Sequence, residues 1–212
     1  MTLAVVLTGR RGTFALDIEF EVPAPGVTAL LGPSGSGKTS ILRAIAGLDR
    51  HVGAVSCGDT VWQNASVFVP TYRRAIGYVA QGPSLLPHLT VARNLDYAAR
   101  RAPAGRFDRG DIVSRTGIGA LLGRFPRALS GGEARRASIA RVLMGQPQLL
   151  LMDEPLSGLD SNARAAMTET LAELFAMLPL PVLYVTHDAR EAARLATTTV
   201  HVDCGRIDCG SP

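Results

Sequence analysis

Apolar positions along the chain fall into two rhythms. Near the amino end they alternate with polar ones over 3–8 (LAVVLT) and 14–22 (FALDIEFEV), which predicts two strands of one sheet. Residues 26–31 (GVTALL) are almost wholly apolar and predict a buried strand that runs straight into Gly32. From 39 to 48 (TSILRAIAGL) the apolar spacing becomes helical. Short strands return between 53 and 80, ending in AIGYVAQ (75–81).

Helical spacing dominates residues 82–145. It predicts a helix over 89–101, shorter pieces punctuated by glycine over 110–125, and a helix over 131–145. In that last helix Ala137, Ala140, Val142 and Leu143 are the expected buried positions, while Arg135 and Arg136 read as a solvated face. An apolar strand over 147–155 then ends in two acids. An amphipathic helix over 161–178 puts Met167, Leu171, Leu174, Phe175 and Leu178 on one face. A buried strand (181–188), a short helix (189–196) and a final strand (198–207) complete the pattern. Buried strands alternating with helices predict a doubly wound α/β core with a mostly helical lobe inserted. The expected division is 1–81 and 146–212 for the core and 82–145 for the lobe, in one domain. The stretch 102–107, with Pro103 and Gly105, is the expected flexible loop.

Composition changes this picture little. Of 212 residues 47% are apolar, enough for a sizeable core, and the net charge of +4 is spread without a basic-aromatic stripe. No nucleic-acid partner is expected. Cys57, Cys204 and Cys209 form neither a disulfide framework nor a zinc pattern. No apolar run approaches the roughly 18–20 residues that span a bilayer, and the first residues do not read as a signal peptide. A soluble chain is expected, with any membrane work done by a partner. Of the 22 basic residues only Lys38 is a lysine. A compact ammonium and a forked guanidinium are not interchangeable, so this one position is informative.

Lys38 lies in GPSGSGKT (32–39), which fits G-x-x-x-x-G-K-[ST] directly after a predicted strand and before a predicted helix. The loop Gly32, Pro33, Ser34, Gly35, Ser36, Gly37, with Lys38, Thr39 and Ser40 opening the helix, is built to wrap phosphates with backbone amides. Lys38 would reach the β- and γ-phosphates, and Thr39 would offer a hydroxyl to Mg²⁺. Asp153, at the end of LLLMD, is placed to hold Mg²⁺ through its water shell. Glu154 is the natural candidate to polarise an attacking water. His187, after the strand LYVT, is another polar residue at a strand end, where ligands collect in open α/β sheets. A second anion-ready helix start lies far away, in LSGGE (129–133).

Together GPSGSGKT, VAQ with Gln81, LSGGE, LLLMDEP, LSGLD and VTHD resemble, in order and spacing, the ATP-binding-cassette ATPases, over nearly the whole chain. The resemblance implies a P-loop NTPase (RecA-like) core with an N-terminal antiparallel β subdomain and an inserted helical subdomain. It implies ATP and Mg²⁺ as cofactors. It implies a head-to-tail homodimer in which Ser130, Gly131 and Gly132 serve the γ-phosphate held by the neighbour's loop, with Asp160 at the dimer seam. By the same likeness Gln81 links γ-phosphate and metal to the helical lobe, and His187 contacts the γ-phosphate. Many members stack adenine on an aromatic upstream of the loop. Here TGRRGTF (8–14) lacks the usual tyrosine, and Phe14 is expected to be a core residue. Ala134–Arg135, where relatives often carry lysine or glutamine, is expected to matter little.

The stretch 81–100 (QGPSLLPHLTVARNLDYAAR) resembles the importer branch, and the amino-terminal third most resembles the ATPase subunits of molybdate importers. Sulfate, ferric-ion, polyamine and sugar importer ATPases are alternatives. The likeness implies integral membrane permease subunits, docking near Leu85, Leu86, Pro87 and His88. It implies an indirect link to a periplasmic or extracellular solute-binding protein, and a peripheral position on the cytoplasmic side of the cell membrane. Molybdate-type subunits often carry a further oxyanion-binding domain beyond the core, and the sequence reaches Pro212 just past the core. Either the natural protein is short or it continues beyond this sequence; without that further domain, feedback by substrate at the ATPase itself is not expected. Two other classes fit less well. A cassette ATPase acting on DNA or ribosomes would carry a coiled-coil insertion or two cassettes, and a P-loop kinase would need a lid and no LSGGE.

Overall fold

A computed structural model describes residues 2–11 and 14–208. One ten-stranded sheet runs through it. At one end β1 (Leu3–Arg11) pairs antiparallel with β2 (Phe14–Val22) and with β4 (Val52–Cys57), and β5 (Thr60–Gln63) pairs antiparallel with β4. At the other end β3 (Gly26–Leu31), β6 (Ile76–Val79), β7 (Leu149–Asp153), β8 (Pro181–Thr186) and β9 (Thr198–Asp203) are parallel, in the order β9-β3-β8-β7-β6. Every residue of β7 and β8 is buried, as expected for strands covered on both faces.

The two faces carry two cores. Leu149, Leu151, Leu183 and Val185 pack with α1 (Lys38–Ala46) and the antiparallel strands. Leu150, Met152, Val182 and Tyr184 pack with α4 (Gly131–Met144) and α5 (Ser161–Phe175). The period of two along each strand sends successive residues to opposite cores. Helix α5 buries Met167, Leu171, Leu174 and Phe175 as its spacing predicts, and Leu178 packs just past its end. Helix α4 buries Ala137, Ala140 and Leu143, while Val142 is half-buried over Gly77.

The remaining helices are α2 (Val91–Ala99), α3 (Arg109–Arg115) and α6 (Ala189–Leu195). Thr90 caps α2, and Gln146 holds the end of the irregular stretch before α3 through both polar atoms of Phe107's backbone. A buried cation closes α1: the Arg74 guanidinium donates to the carbonyl of Ile45, at the end of the helix where carbonyls lack intrahelical partners, and shares that of Ala44 with the Gly47 amide.

The expected single strand over 198–207 is in fact a hairpin. Cys204 (φ 46°) and Gly205 (φ 78°) turn the chain between Asp203 and Arg206, and β10 (Arg206–Asp208) returns along β9. The reversal has a purpose in the topology. β10 also pairs with β2, so this hairpin joins the antiparallel half of the sheet to the parallel half.

Candidate functional site

β3 delivers the chain to Gly32 at the sheet's carboxyl edge, where α1 begins six residues later. A Cβ on Gly32 would lie 2.1 Å from the carbonyl oxygen of Val202, so no other residue fits. Gly35 and Gly37 take positive φ (82° and 103°), which curls the loop back over the helix start. The β9–β10 turn buttresses it from behind, with the Gly205 amide donating to Ser36 O at 2.9 Å. That support comes from 169 residues away in sequence and has no local signal.

Lys38 is 4% exposed. Its ammonium donates to Gly32 O (2.8 Å), Pro33 O (2.7 Å) and Ser36 Oγ (3.4 Å). Burial lowers its pKa, and the carboxylates of Glu154 and Asp153 partly oppose that. No side chain caps α1, so its first amides face the loop unpaired. The loop is thus a ring of donors with one cation at its centre, a site for an anion with several oxygens.

Asp153, at the end of β7, is 6% exposed. Thr39 Oγ1 donates to one carboxylate oxygen at 3.0 Å, and the Tyr78 hydroxyl donates to the other at 3.2 Å. Burial raises the pKa of Asp153, a shift the two hydroxyls and Lys38 partly offset. Tyr78 has no counterpart among the sequence expectations. Strand β6 lies beside β7 only in the folded sheet, and its burial and the neighbouring acid push the phenol far up, keeping it a donor. A magnesium ion binds through one or two carboxylates plus phosphate and water oxygens. A buried carboxylate beside a hydroxyl and a phosphate loop fits that need, with Thr39, Asp153 and Gln81 the residues that would hold it.

Glu154 takes φ 43°, a left-handed backbone for a non-glycine residue, where its amide donates to Val185 O at 3.1 Å. This turn swings its carboxylate out of the sheet. His187 Nδ1 lies 3.3 Å from Glu154 Oε1. The histidine turn is braced from beneath: buried Glu191 accepts from Tyr184 OH (3.1 Å) and Thr186 Oγ1 (2.8 Å), and the Asp188 amide donates to Thr186 Oγ1.

Ser34, Gly35, Gly37, Lys38, Thr39, Ser40, Gln81 and Glu154 line one open cleft of about 510 Å³. Ser130, Gly131, Gly132 and Asp160 do not line it. They stand together elsewhere: a Cβ on Gly131 would lie 3.7 Å from Leu159 Cδ2, and Asp160 caps α5 through the Ala163 amide. Ser130 caps α4 in a reciprocal box with Glu133, which leaves the first-turn glycines uncovered. The face expected at Arg135 is a correction. Arg135 is buried and donates to Ala80 O and Ser157 O. A period of 3.6 carried through Ala134, Ala137 and Ser138 places it on the inner side of α4. The adenine question falls on residues 12 and 13 and on the Phe14 side chain, which lie outside the described residues, as does Cys209.

Asp153→Asn is expected to uncouple stability from binding. The raised pKa means that the folded chain prefers the neutral acid, so ionised Asp153 weakens the nucleotide-free fold above that pKa and ceases to do so as pH falls through it. The asparagine variant should unfold roughly 2–4 °C higher at pH 7 in chelator, the span of about 1 kcal/mol. Its advantage should shrink towards pH 5, and it should gain no stabilisation from ATP with magnesium. Thermal unfolding with and without nucleotide checks all three.

A sequence profile of the ABC transporter family matches residues 15–157. The chain is 47% identical over 205 residues to the molybdenum import ATP-binding protein ModC of Hahella chejuensis, covering 95% of this chain and 57% of that one. It is 48% identical over 202 residues to the ModC of Thiobacillus denitrificans, covering 94% and 56%. The chain thus spans little more than half the length of these relatives. Among solved structures it superposes on cbiO1 from Clostridium perfringens, described as part of the ABC transporter complex cbiONQ. The TM-score is 0.83 at 24% identity, covering 97% of this chain and 86% of that one. It also superposes on the ATP-binding cassette MJ0796, described as a dimer in a post-hydrolysis state bound to ADP and Pi. There the TM-score is 0.78 at 24% identity, covering 98% and 97%. At that identity the likeness establishes the fold.

Proposed function

The chain belongs to the ABC transporter family, and we propose that it is the ATP-hydrolysing subunit of a molybdate importer, working as a head-to-tail homodimer on a membrane permease. One observation carries the dimer. The donor-lined cleft holds Lys38, Gln81 and Glu154, while the second anion-ready helix start, Ser130–Gly132, lies outside it. Each copy then offers half of two sites, and ATP bound in one cleft completes its γ-phosphate contacts on the partner's Ser130–Gly132.

In this reading the loop amides and Lys38 hold the β- and γ-phosphates. Glu154, oriented by its left-handed turn, takes a proton from the water that attacks the γ-phosphate. His187 and Gln81 face the same phosphate. Magnesium, when bound, neutralises phosphate charge beside Thr39 and Asp153. Loss of the γ-phosphate removes the anion that joins the two copies, so hydrolysis reopens them.

Molybdate is supported by the names of the relatives; sulfate, ferric-ion, polyamine and sugar are the alternatives. No helix among the described residues is long and apolar enough to cross a membrane; in this reading the chain sits peripherally on the cytoplasmic side of the cell membrane against integral permease subunits, which link it indirectly to a periplasmic or extracellular solute-binding protein. Pro87 and His88 are exposed on a loop that buried Asn94 pins through Leu86, Leu89 and Thr90, a firm footing for a partner.

The test is molybdate uptake at low external concentration in cells lacking the gene. Wild type should restore uptake and Glu154→Gln should not. Uptake unchanged by the deletion would redirect the assignment to another solute, sulfate first.

A further inference from the structure

Buried cations usually sit against a carboxylate. Arg135 does not: it is 4% exposed, and among the described residues no acid lies within ion-pair distance. Its Nη1 donates to Ala80 O at 3.0 Å and its Nη2 to Ser157 O at 3.4 Å, while Nε has no partner among the described residues. Two backbone carbonyls therefore carry the whole compensation for this charge.

Those carbonyls belong to the connections that follow β6 and β7, which carry the cleft residues Gln81 and Glu154. Ala80 precedes Gln81. Ser157 follows Glu154 by three residues, donates to Glu154 O through both its amide (3.1 Å) and its hydroxyl (2.9 Å), and precedes Asp160 by three. Arg135 itself lies one turn into α4, whose first turn is Gly131–Ala134. The same helix face continues the grip. Ser138 Oγ accepts from the Ser84 amide at 3.0 Å, and Arg141 donates to Ser84 O. The spacing 135, 138, 141 runs down one side of a helix and holds both ends of residues 80–84.

We propose that Arg135 is a positioning residue that ties the Gln81 and Glu154–Asp160 segments of the cleft to α4, so that a nucleotide-driven shift of either segment moves Ser130–Gly132. The proposal rests on the ATP-closed dimer described above. A guanidinium suits the task because its planar fork carries donors on two separate nitrogens. A lysine carries all its donors on a single nitrogen, so it lacks the fork's two separate points of attachment. A methionine fills the volume and serves neither, leaving both half-buried carbonyls without this donor.

R135M and R135K are to be compared with the parent, each with and without Glu154→Gln. Three quantities are read: hydrogen exchange of amides in 81–84 and 157–160 without nucleotide, ATP-dependent dimerisation by sedimentation, and kcat against KM for ATP. For R135M we expect exchange at least 10-fold faster in both segments, dimerisation at least 10-fold weaker and kcat at least 5-fold lower. KM should stay within 3-fold, because Arg135 does not line the cleft. R135K should fall between. Unchanged exchange in both segments would overturn the proposal, and so would a fall in kcat that only tracks the fraction of folded protein. If R135M does not fold, R135K and R135Q, which keep donors, supply the same comparison. If the Glu154→Gln parent itself fails to dimerise with ATP, the dimer reading is what fails, and the exchange data alone decide the role of Arg135.

Discussion

Glu154→Gln is expected to lower steady-state ATP turnover by at least about 100-fold, the low end of what a positioned general base contributes, with MgATP affinity held within about 3-fold. Glutamine matches the size of glutamate and meets the same backbone. The left-handed turn is fixed by the Glu154 amide on Val185 O and by Ser157 on Glu154 O, and neither bond involves the side chain. What changes is the proton acceptor. The amide can still contact His187 Nδ1, but it cannot take a proton from water. ATP then binds and is not consumed, so the pair of copies should stay closed. A stable dimer with MgATP and a monomer with MgADP, read by sedimentation, is the expected signature, alongside single-turnover phosphate release. Turnover within about 3-fold of the parent would remove Glu154 as the base. A dimer indifferent to nucleotide would remove the engine itself.

The residues behind that prediction were legible because they are local. The phosphate loop is contiguous from 32 to 40 and its chemistry follows from glycine spacing and one lysine. Asp153 and Glu154 announce themselves at the end of an apolar run. The buried strands and the face of α5 follow from periodicity alone. The structure adds contacts between residues far apart in sequence, and these depend on strand order. Tyr78 reaches Asp153 across 75 positions because β6 pairs with β7. Gly205 supports Ser36 because β10 folds back beside β2. Arg135 is the instructive failure. Two adjacent arginines after a glycine pair read as solvated surface by residue type, yet the helical period puts the first of them inside. Arg74 breaks the same habit, capping α1 from a loop. Both are buried cations held by carbonyls, which no pattern of charge along the chain signals. The Asp203–Arg206 reversal did have a local cue: a glycine preceded by a small residue between two β-rich halves. Alternation on either side masked it.

Lys38→Ala is expected to weaken MgATP binding by at least about 100-fold, which corresponds to roughly 3 kcal/mol, the scale of one or two hydrogen bonds to charged groups. The ammonium already sits at the centre of the loop, on Gly32 O and Pro33 O, so binding requires it only to exchange carbonyl partners for phosphate oxygens. Little ordering remains to be done. The lowered pKa shows that burial disfavours this cation in the nucleotide-free chain. Its removal therefore relieves a desolvation cost while leaving two carbonyls short of a donor. These effects oppose, and the melting temperature without nucleotide should move by only a few degrees. Binding should collapse nonetheless, because nothing else in the cleft supplies a mobile positive charge: the other lining residues are glycines, hydroxyls, Gln81 and the anionic Glu154. Lys38→Arg should do no better, since a flat fork wider than an ammonium meets a slot formed by Gly32, Pro33 and Ser36. Calorimetric titration with a non-hydrolysable ATP analogue and with ADP separates the contributions. A larger loss for the triphosphate than for ADP places the ammonium between the β- and γ-phosphates. Equal losses would place it on the β-phosphate alone, and affinity within 3-fold of the parent for both would remove Lys38 from the phosphate site.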